Sequence, residues 1–439
     1  MKRIGRRAIL RQALPVAAAP LLGGFVLPAF AQTAKIGDAE QAVGAALRQA
    51  MTAANAKTFP VGGVLLHNAT GAVLHAIPNR VMGLLPDGKT ATRDPTAHGE
   101  RQLVSWYYEN KQLLNLPDPS ELTVITSLDP CAMCAGALLA AGFHVGVGAF
   151  DSWVGVNYQM DSQFRTLPAN LAGQARNRFG YYQAGDSQTD PPLYVRPYQG
   201  TPTLPFHDSR MSAETYMGCG AIFTAGLPAV NAAKGNDGGP PDTLSDPYFL
   251  PETSRIKTIY REIYPDAFKL KVPNWQQSRT PDQAVLQALD RVGGSNAAAF
   301  IDPFGNVVLC LGEQDGIDTA FLRVTRAYAE RRFALREQDP QSIRYLTQPA
   351  YGAFVYRDAP DPKDPRTILS FGAYGSTMAG PIPAGYERNF LYYRLRSGVT
   401  QADIDQTIAA LPPFYNQTVK MGLVHISSLL TPPINLLFM

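Results

Sequence analysis

Apolar positions recur every four residues between Asp38 and Ala56, with Val43, Leu47 and Met51 in line. That spacing predicts a helix, and Asp38 is placed to cap it. Pro60–Leu66 is a short apolar run, Asn68-Ala69-Thr70-Gly71 is turn chemistry, and Ala72–Ile77 is apolar again; together they predict a hairpin. Helical spacing returns from His98 to about Asn110. Leu122–Ser127 predicts a strand, Cys131–Ala141 a helix, and Val145–Phe150 another strand. Helices alternate with strands after an opening hairpin, which predicts a layered α/β domain.

From about Tyr181 to Arg279 the periodicity dissolves. Runs such as Gln188-Thr189-Asp190-Pro191-Pro192 and Lys234-Gly235-Asn236-Asp237-Gly238-Gly239-Pro240-Pro241 predict loop, interrupted by one apolar segment, Cys219–Ala229. Pattern then returns. Pro281–Val292 predicts a helix, Ala297–Ile301 and Asn306–Leu311 two strands around an Asp302-Pro303-Phe304-Gly305 turn, and Thr319–Leu335 a long helix. Ser342–Leu346 and Thr367–Ala373 read as further strands. The order helix, strand, glycine turn, strand, helix repeats that of residues 38–110.

The chain has 439 residues, of which 45% are hydrophobic and 17% charged. It can bury a sizeable core, and disordered, collagen-like and coiled-coil classes are excluded. The formal charge of +3 misleads. Residues 1–31 hold Lys2, Arg3, Arg6, Arg7 and Arg11 and no acid, so the remainder carries −2. That stretch runs from basic, through weakly apolar (Ala13–Leu27), to Ala29-Phe30-Ala31. It predicts a cleaved twin-arginine export signal and a periplasmic protein. Pro15, Pro20 and Gly23-Gly24 break the apolar run, so no stable membrane anchor is expected. A mature charge near −2 gives no attraction for polyanions, and no nucleic-acid partner is expected. Four cysteines (131, 134, 219, 310) are too few for a disulfide framework.

The chemistry lies between residues 94 and 134. Asp94-Pro95-Thr96-Ala97-His98-Gly99-Glu100 precedes Asp129-Pro130-Cys131-Ala132-Met133-Cys134. One imidazole and two thiolates form a ligand set that zinc prefers, and three protein ligands leave a fourth position for water. Cys131 and Cys134 are three apart, Pro130 suits a helix start, and the helix dipole there stabilises thiolates. His98 and Glu100 would diverge in mid-helix, so the pair makes sense only where the chain enters a helix. A carboxylate that is not a ligand could move protons beside such a metal.

These residues resemble the cytidine deaminase superfamily, in the branch of tRNA adenosine deaminases and guanine or cytosine deaminases. Three segments match in order: Phe59–Leu66, the Asp94–Glu100 run, and Thr126–Leu138. The likeness covers roughly residues 38–155. It implies a three-layer α/β/α fold, one Zn2+ per chain on His98, Cys131 and Cys134, and Glu100 as proton shuttle. It places Asn79 at a base-contacting position, although about eight extra residues around Gly83–Thr90 separate it from His98. It also implies hydrolytic release of ammonia. With export and the charge, the expected substrate is a small heterocyclic amine: a free base, a nucleoside or a related molecule.

Two other classes stay open at this point. Cys131 and Cys134 could form a periplasmic thiol–disulfide pair, or the fold could bind a ligand without catalysis. A closed structural zinc site would need a fourth ligand, for which Cys219 is the spare candidate. Trp153, Tyr158 and Phe164 read as core, although the resemblance places substrate-covering groups near there. The resulting division is an export signal (1–31), a zinc deaminase domain (36–180), a loop-rich insertion (181–279) and a degenerate, metal-free deaminase-like copy (280–439). In that copy Phe321 would stand where His98 does, and Thr347-Gln348-Pro349-Ala350 where Leu128-Asp129-Pro130-Cys131 does. Either a homodimer or an intrachain pseudo-dimer would follow.

Overall fold

Alternation along a single strand sets the first layer structure. The computed structural model describes residues 35–159, 163–182, 210–314, 316–378 and 382–425. The expected export signal lies outside the described residues. The elements begin with α1 (Ala39–Asn55), β1 (Gly62–His67), β2 (Val73–Pro78), β3 (Met82–Leu84), β4 (Thr90–Thr92) and α2 (Gly99–Leu114). They continue with β5 (Leu122–Leu128), α3 (Ala132–Ala141), β6 (His144–Ala149), α4 (Ala169–Arg178) and β7 (Phe179–Tyr181). Asp38 caps α1 by accepting from the Gln41 N–H. The sheet order is β2-β1-β5-β6-β7. The first three strands are antiparallel neighbours and the last three are parallel. On β1, Leu65 packs into the core beside α2 and α3, while Val64 and Leu66 pack with α1 on the other face. This is the expected three-layer α/β/α arrangement. The extra residues after Asn79 form the separate β3–β4 hairpin.

The stretch expected to be loop-rich contains a 22-residue helix, α5 (Ala213–Lys234), capped by Ser212. Gly218, Gly220, Gly226 and Pro228 hid it, because each weakens a helix read from sequence. It packs beside α1 through Cys219 and Phe223. Shorter helices α6 (Arg255–Arg261) and α7 (Trp275–Ser278) follow.

The second half comprises α8 (Gln283–Arg291), β8 (Ala297–Ile301), β9 (Val307–Gly312), α9 (Ala320–Gln338), β10 (Ala353–Asp358), α10 (Pro365–Met378), β11 (Phe390–Arg394), α11 (Gln401–Ala410), α12 (Pro413–Thr418) and β12 (Gly422–Leu423). Its sheet order is β9-β8-β10-β11-β12, again antiparallel, antiparallel, parallel, parallel. Strand for strand this is the topology of the first sheet, with α8, α9 and α10 in the places of α1, α2 and α3.

Two expected strands are corrected. Residues 342–346 lie mostly in a 3-10 turn (Pro340–Tyr345), and Thr367–Ala373 is the middle of α10. Eleven of the fourteen α10 residues are buried, so its sequence lacks a polar face and mimics an internal strand. The register of the repeat shifts accordingly. Thr319, the N-cap of α9, corresponds to His98, and Phe321 corresponds to Glu100. The Ala359-Pro360 pair after β10 corresponds to Asp129-Pro130; residues 347–350 do not.

The halves meet through their equivalent helices, α3 and α10. A Cβ on Gly136 would sit 2.3 Å from the Leu369 nitrogen, and one on Gly372 would sit 2.0 Å from the Met133 nitrogen. Side chains are therefore excluded at both crossing points. Buried residues of the α2–α3 face and of the second half form one continuous apolar core. Among the described residues, no helix is long and apolar enough to cross a membrane.

Candidate active site

Two helix starts build the site. His98 is the N-cap of α2, in extended geometry, and Cys131 is the N-cap of α3, also extended. Glu100 is therefore the second helical residue of α2, where the chain is still turning in, and the His98–Glu100 spacing brings both groups to one place. Cys131 is not itself helical, but its cap position and Cys134 three residues on still converge. Gly63 permits the close packing: a Cβ there would lie 3.0 Å from Leu103 and 4.0 Å from the Glu100 nitrogen.

The ligand atoms of His98, Cys131 and Cys134 all lie within 4.8 Å of one another. Cys131 Sγ is 3.5 Å from His98 Nδ1. Tetrahedral zinc with ordinary Zn–S and Zn–N bonds needs a sulfur–nitrogen separation of roughly 3.6 Å. The donor set and its spacing thus fit Zn2+. Among the described residues this is the one such cluster of three or more His, Cys, Asp or Glu side chains. Cys219 is buried on the α1 side of the sheet and cannot close the set.

Glu100 is 2% exposed and is not a member of the ligand set. Thr126 on β5 donates to its Oε1 at 3.1 Å, and the Cys134 thiol reaches Oε2 at 3.5 Å. Burial pushes the Glu100 carboxyl above the ordinary range, and the neighbouring Cys131 thiolate pushes the same way. Cys131 is held well below the usual thiol range by a hydrogen bond from Cys134, despite its burial, and the nearby His98 helps.

Asn79 is buried at the end of β2. Its Oδ1 accepts from Thr58 Oγ1 at 2.7 Å and from the Val81 N–H at 2.9 Å. Its Nδ2 has no partner among the described residues, and Asn79 lines the cavity that contains His98, Glu100 and Cys131. A buried amide with a fixed acceptor and a spare donor is built to meet a ligand acceptor.

That cavity has a volume of about 590 Å³. It has contributors that pattern reading missed. Phe223, Leu227, Asn231 and Lys234 come from α5, Ser376 from the end of α10, and Phe414, Tyr415, Gln417 and Thr418 from α12. Trp153 also lines it and is 54% exposed, so it stands at the mouth and is not core as expected; Phe164 is core. The loop behind Trp153 is tied to the metal-ligand turn. Asp129 accepts from Tyr181 Oη at 2.6 Å and from the Asn157 N–H at 2.9 Å, and the Val156 N–H donates to the Pro130 carbonyl.

Residues 37–147 match the family described as the cytidine and deoxycytidylate deaminase zinc-binding region. With the His98, Cys131 and Cys134 cluster inside that range, the assignment of this segment is decided. It is a zinc-binding domain of the cytidine deaminase superfamily. The chain also resembles solved structures over part of its length. One is a tRNA deaminase that performs A-to-I editing at the wobble position, at 26% identity over 26% of this chain and 75% of that one, with a TM-score of 0.22. Another is the guanine deaminase of Nitrosomonas europaea, at 16% identity over 49% of this chain and 100% of that one, with a TM-score of 0.30. A third is a mutant protein in complex with 8-azaguanine, at 17% identity over 48% and 98%, with a TM-score of 0.30. The family match and the site geometry carry the assignment.

The second half lacks the deaminase domain's chemistry at matching positions. Where His98 stands there is Thr319, whose hydroxyl receives a 3.0 Å hydrogen bond from Ser370; Tyr356 Oη in turn donates to Ser370 at 3.0 Å. Where Glu100 stands, Phe321 fills the space among Phe354, Tyr374 and Phe390. Hydroxyl bonds and an aromatic plug replace the ligands and the carboxylate.

Proposed function

We propose that this chain is a hydrolytic deaminase of a small aminated heterocycle. The observation that carries the reading is the buried, non-ligand Glu100 beside a three-ligand metal set that opens into a cavity. Zinc in that set supplies the Lewis acidity that lets water act as a nucleophile near neutral pH. Glu100 takes a proton from the attacking water and delivers it to the departing nitrogen. The ring C–N bond to the exocyclic amine breaks, a C–O bond forms, and ammonia leaves. Thr126 fixes Glu100 in orientation. Asn79 Nδ2 donates to an acceptor on the ring, and Phe59, Phe223 and Trp153 offer aromatic faces to it.

A cavity of this size suits a base or nucleoside and not a folded polynucleotide. The acidic balance of residues 32–439 and the twin-arginine pattern of residues 1–31 support the same choice, and they support a periplasmic location. The metal-free second half acts as a built-in partner: it covers α3 with α10 and closes the cavity with α12. That role makes an intrachain pseudo-dimer the working unit.

The test is an ammonia-release screen over bases, nucleosides and related heterocyclic amines with zinc-loaded protein. Release from at least one compound, lost on chelation and restored by Zn2+, supports the reading. Tight binding across the panel with no release contradicts it. On the substrate so found, Asn79→Ala is expected to lower kcat/KM by about 10- to 100-fold, because the buried acceptor on the ring loses its donor. A change under threefold would remove Asn79 from the site.

A further inference from the structure

The family match ends at residue 147, yet part of the cavity wall lies on α5, far outside it. Asn231 and Lys234 stand one turn apart on that helix, and both line the cavity. Lys234 is partly buried, and among the described residues it makes no ion pair and no side-chain hydrogen bond. Asp237, the nearest acid to act on it, is already engaged by Thr92, Arg332 and Arg336. A partly buried ammonium without a counter-charge is costly unless a ligand provides one. Burial accordingly pulls the Lys234 ammonium below the usual lysine range.

The position of Lys234 is also fixed relative to the metal ligands. Its Nζ lies 5.2 Å from the centroid of the Phe59 ring, and the His98 ring lies beside the same ring, with centroids 6.4 Å apart. Phe59 is thus a piece of cavity wall that both the His98 imidazole and the Lys234 ammonium adjoin. A heterocycle placed against Phe59, with its amine toward His98 and Glu100, could carry a substituent that reaches Lys234 along the same wall. The cavity volume exceeds what a single base fills.

We infer that the substrate of this site is a heterocyclic amine bearing an anionic group, a phosphate or a carboxylate, which Lys234 and Asn231 bind at the end of the cavity away from the metal ligands. The inference rests on the deaminase reading above, and its test is a binding measurement that does not require turnover.

Isothermal titration calorimetry on zinc-loaded Glu100→Gln protein would compare matched neutral and anionic pairs: cytidine with cytidine 5′-monophosphate, guanosine with guanosine 5′-monophosphate, and pterin with pterin-6-carboxylate. The expected result is at least tenfold tighter binding of the anionic member of one pair or more. The phosphate and carboxylate arms tell which group is bound. Lys234→Met in the same background should bring that pair within about twofold while leaving affinity for the neutral member and the zinc content unchanged. The inference is overturned if no pair shows the preference, whether its members bind equally or not at all, or if the preference survives in Lys234→Met. A preference that follows Lys234 in protein that releases no ammonia from any compound would sink the deaminase reading and leave the anion site standing.

Discussion

Glu100→Gln protein is expected to retain its metal and lose its turnover. Glutamine keeps the size of the side chain and can still accept from Thr126 Oγ1, now 3.1 Å from the carboxylate. It cannot carry a proton between water and a leaving amine. Positioned general acid–base groups contribute about 10²–10⁴-fold, and this one serves in both directions, so a drop in kcat of about 10³-fold or more is expected, roughly 4 kcal/mol in the barrier. Because Glu100 is outside the ligand set, zinc content should not fall. The measurement is ammonia release beside metal analysis on the same preparation. Activity within tenfold of the parent would show that another group moves the proton. Loss of zinc together with activity would make Glu100 a ligand and contradict the site as described. A thiol–disulfide protein would be indifferent to the substitution, so the same experiment separates the two chemistries.

Gly372→Val is expected to disrupt the protein at the seam between the halves. A Cβ at Gly372 would lie 2.0 Å from the Met133 nitrogen and 2.6 Å from the Ala132 carbonyl carbon. These are backbone atoms of α3, and no rotamer change relieves the overlap. Overpacking against adaptable side chains costs about 1–3 kcal/mol, and a clash with backbone belongs at or above the top of that range. The movement also has a chemical consequence. Met133 lies between the two cysteines, so displacing it displaces Cys134 relative to His98. Urea unfolding should show a loss of about 3 kcal/mol or more, and zinc retention against a chelator should weaken in parallel. Gly220→Ala on α5 is the control, because nothing among the described residues lies within 4 Å of its added Cβ. It should be neutral or slightly stabilising through helix propensity. Wild-type stability in Gly372→Val would mean that α3 and α10 are not packed as described.

The residues of the site were largely legible and their neighbours were not. His98, Glu100, Cys131 and Cys134 sit at helix entries, where capping and spacing leave local signals. Asn79 was placed by resemblance, and its free Nδ2 inside the cavity appears only when Thr58 and Val81 are seen to occupy its oxygen. The α5 wall was invisible because three glycines and Pro228 disguise a helix that tertiary contact stabilises. The repeat was legible as an order of elements from α8 to α9. It was misregistered by two residues at the start of α9, where the N-cap Thr319 was not set against His98, and lost afterwards, because α10 is buried almost all round and reads as a strand, which left β10 unseen. Once the caps are aligned, Thr319 with His98 and Phe321 with Glu100, the second half explains its own lack of a metal cluster: its place is taken by side chains that bond or pack with one another.

The most direct test of this account is the zinc content of the protein, purified without chelator and measured by mass spectrometry of the metal. One zinc per chain is expected, held by His98, Cys131 and Cys134 and lost in Cys134→Ala. Two zincs per chain would contradict a silent second half. No zinc, with Cys131 and Cys134 joined as a disulfide, would contradict the metal site and the chemistry built on it.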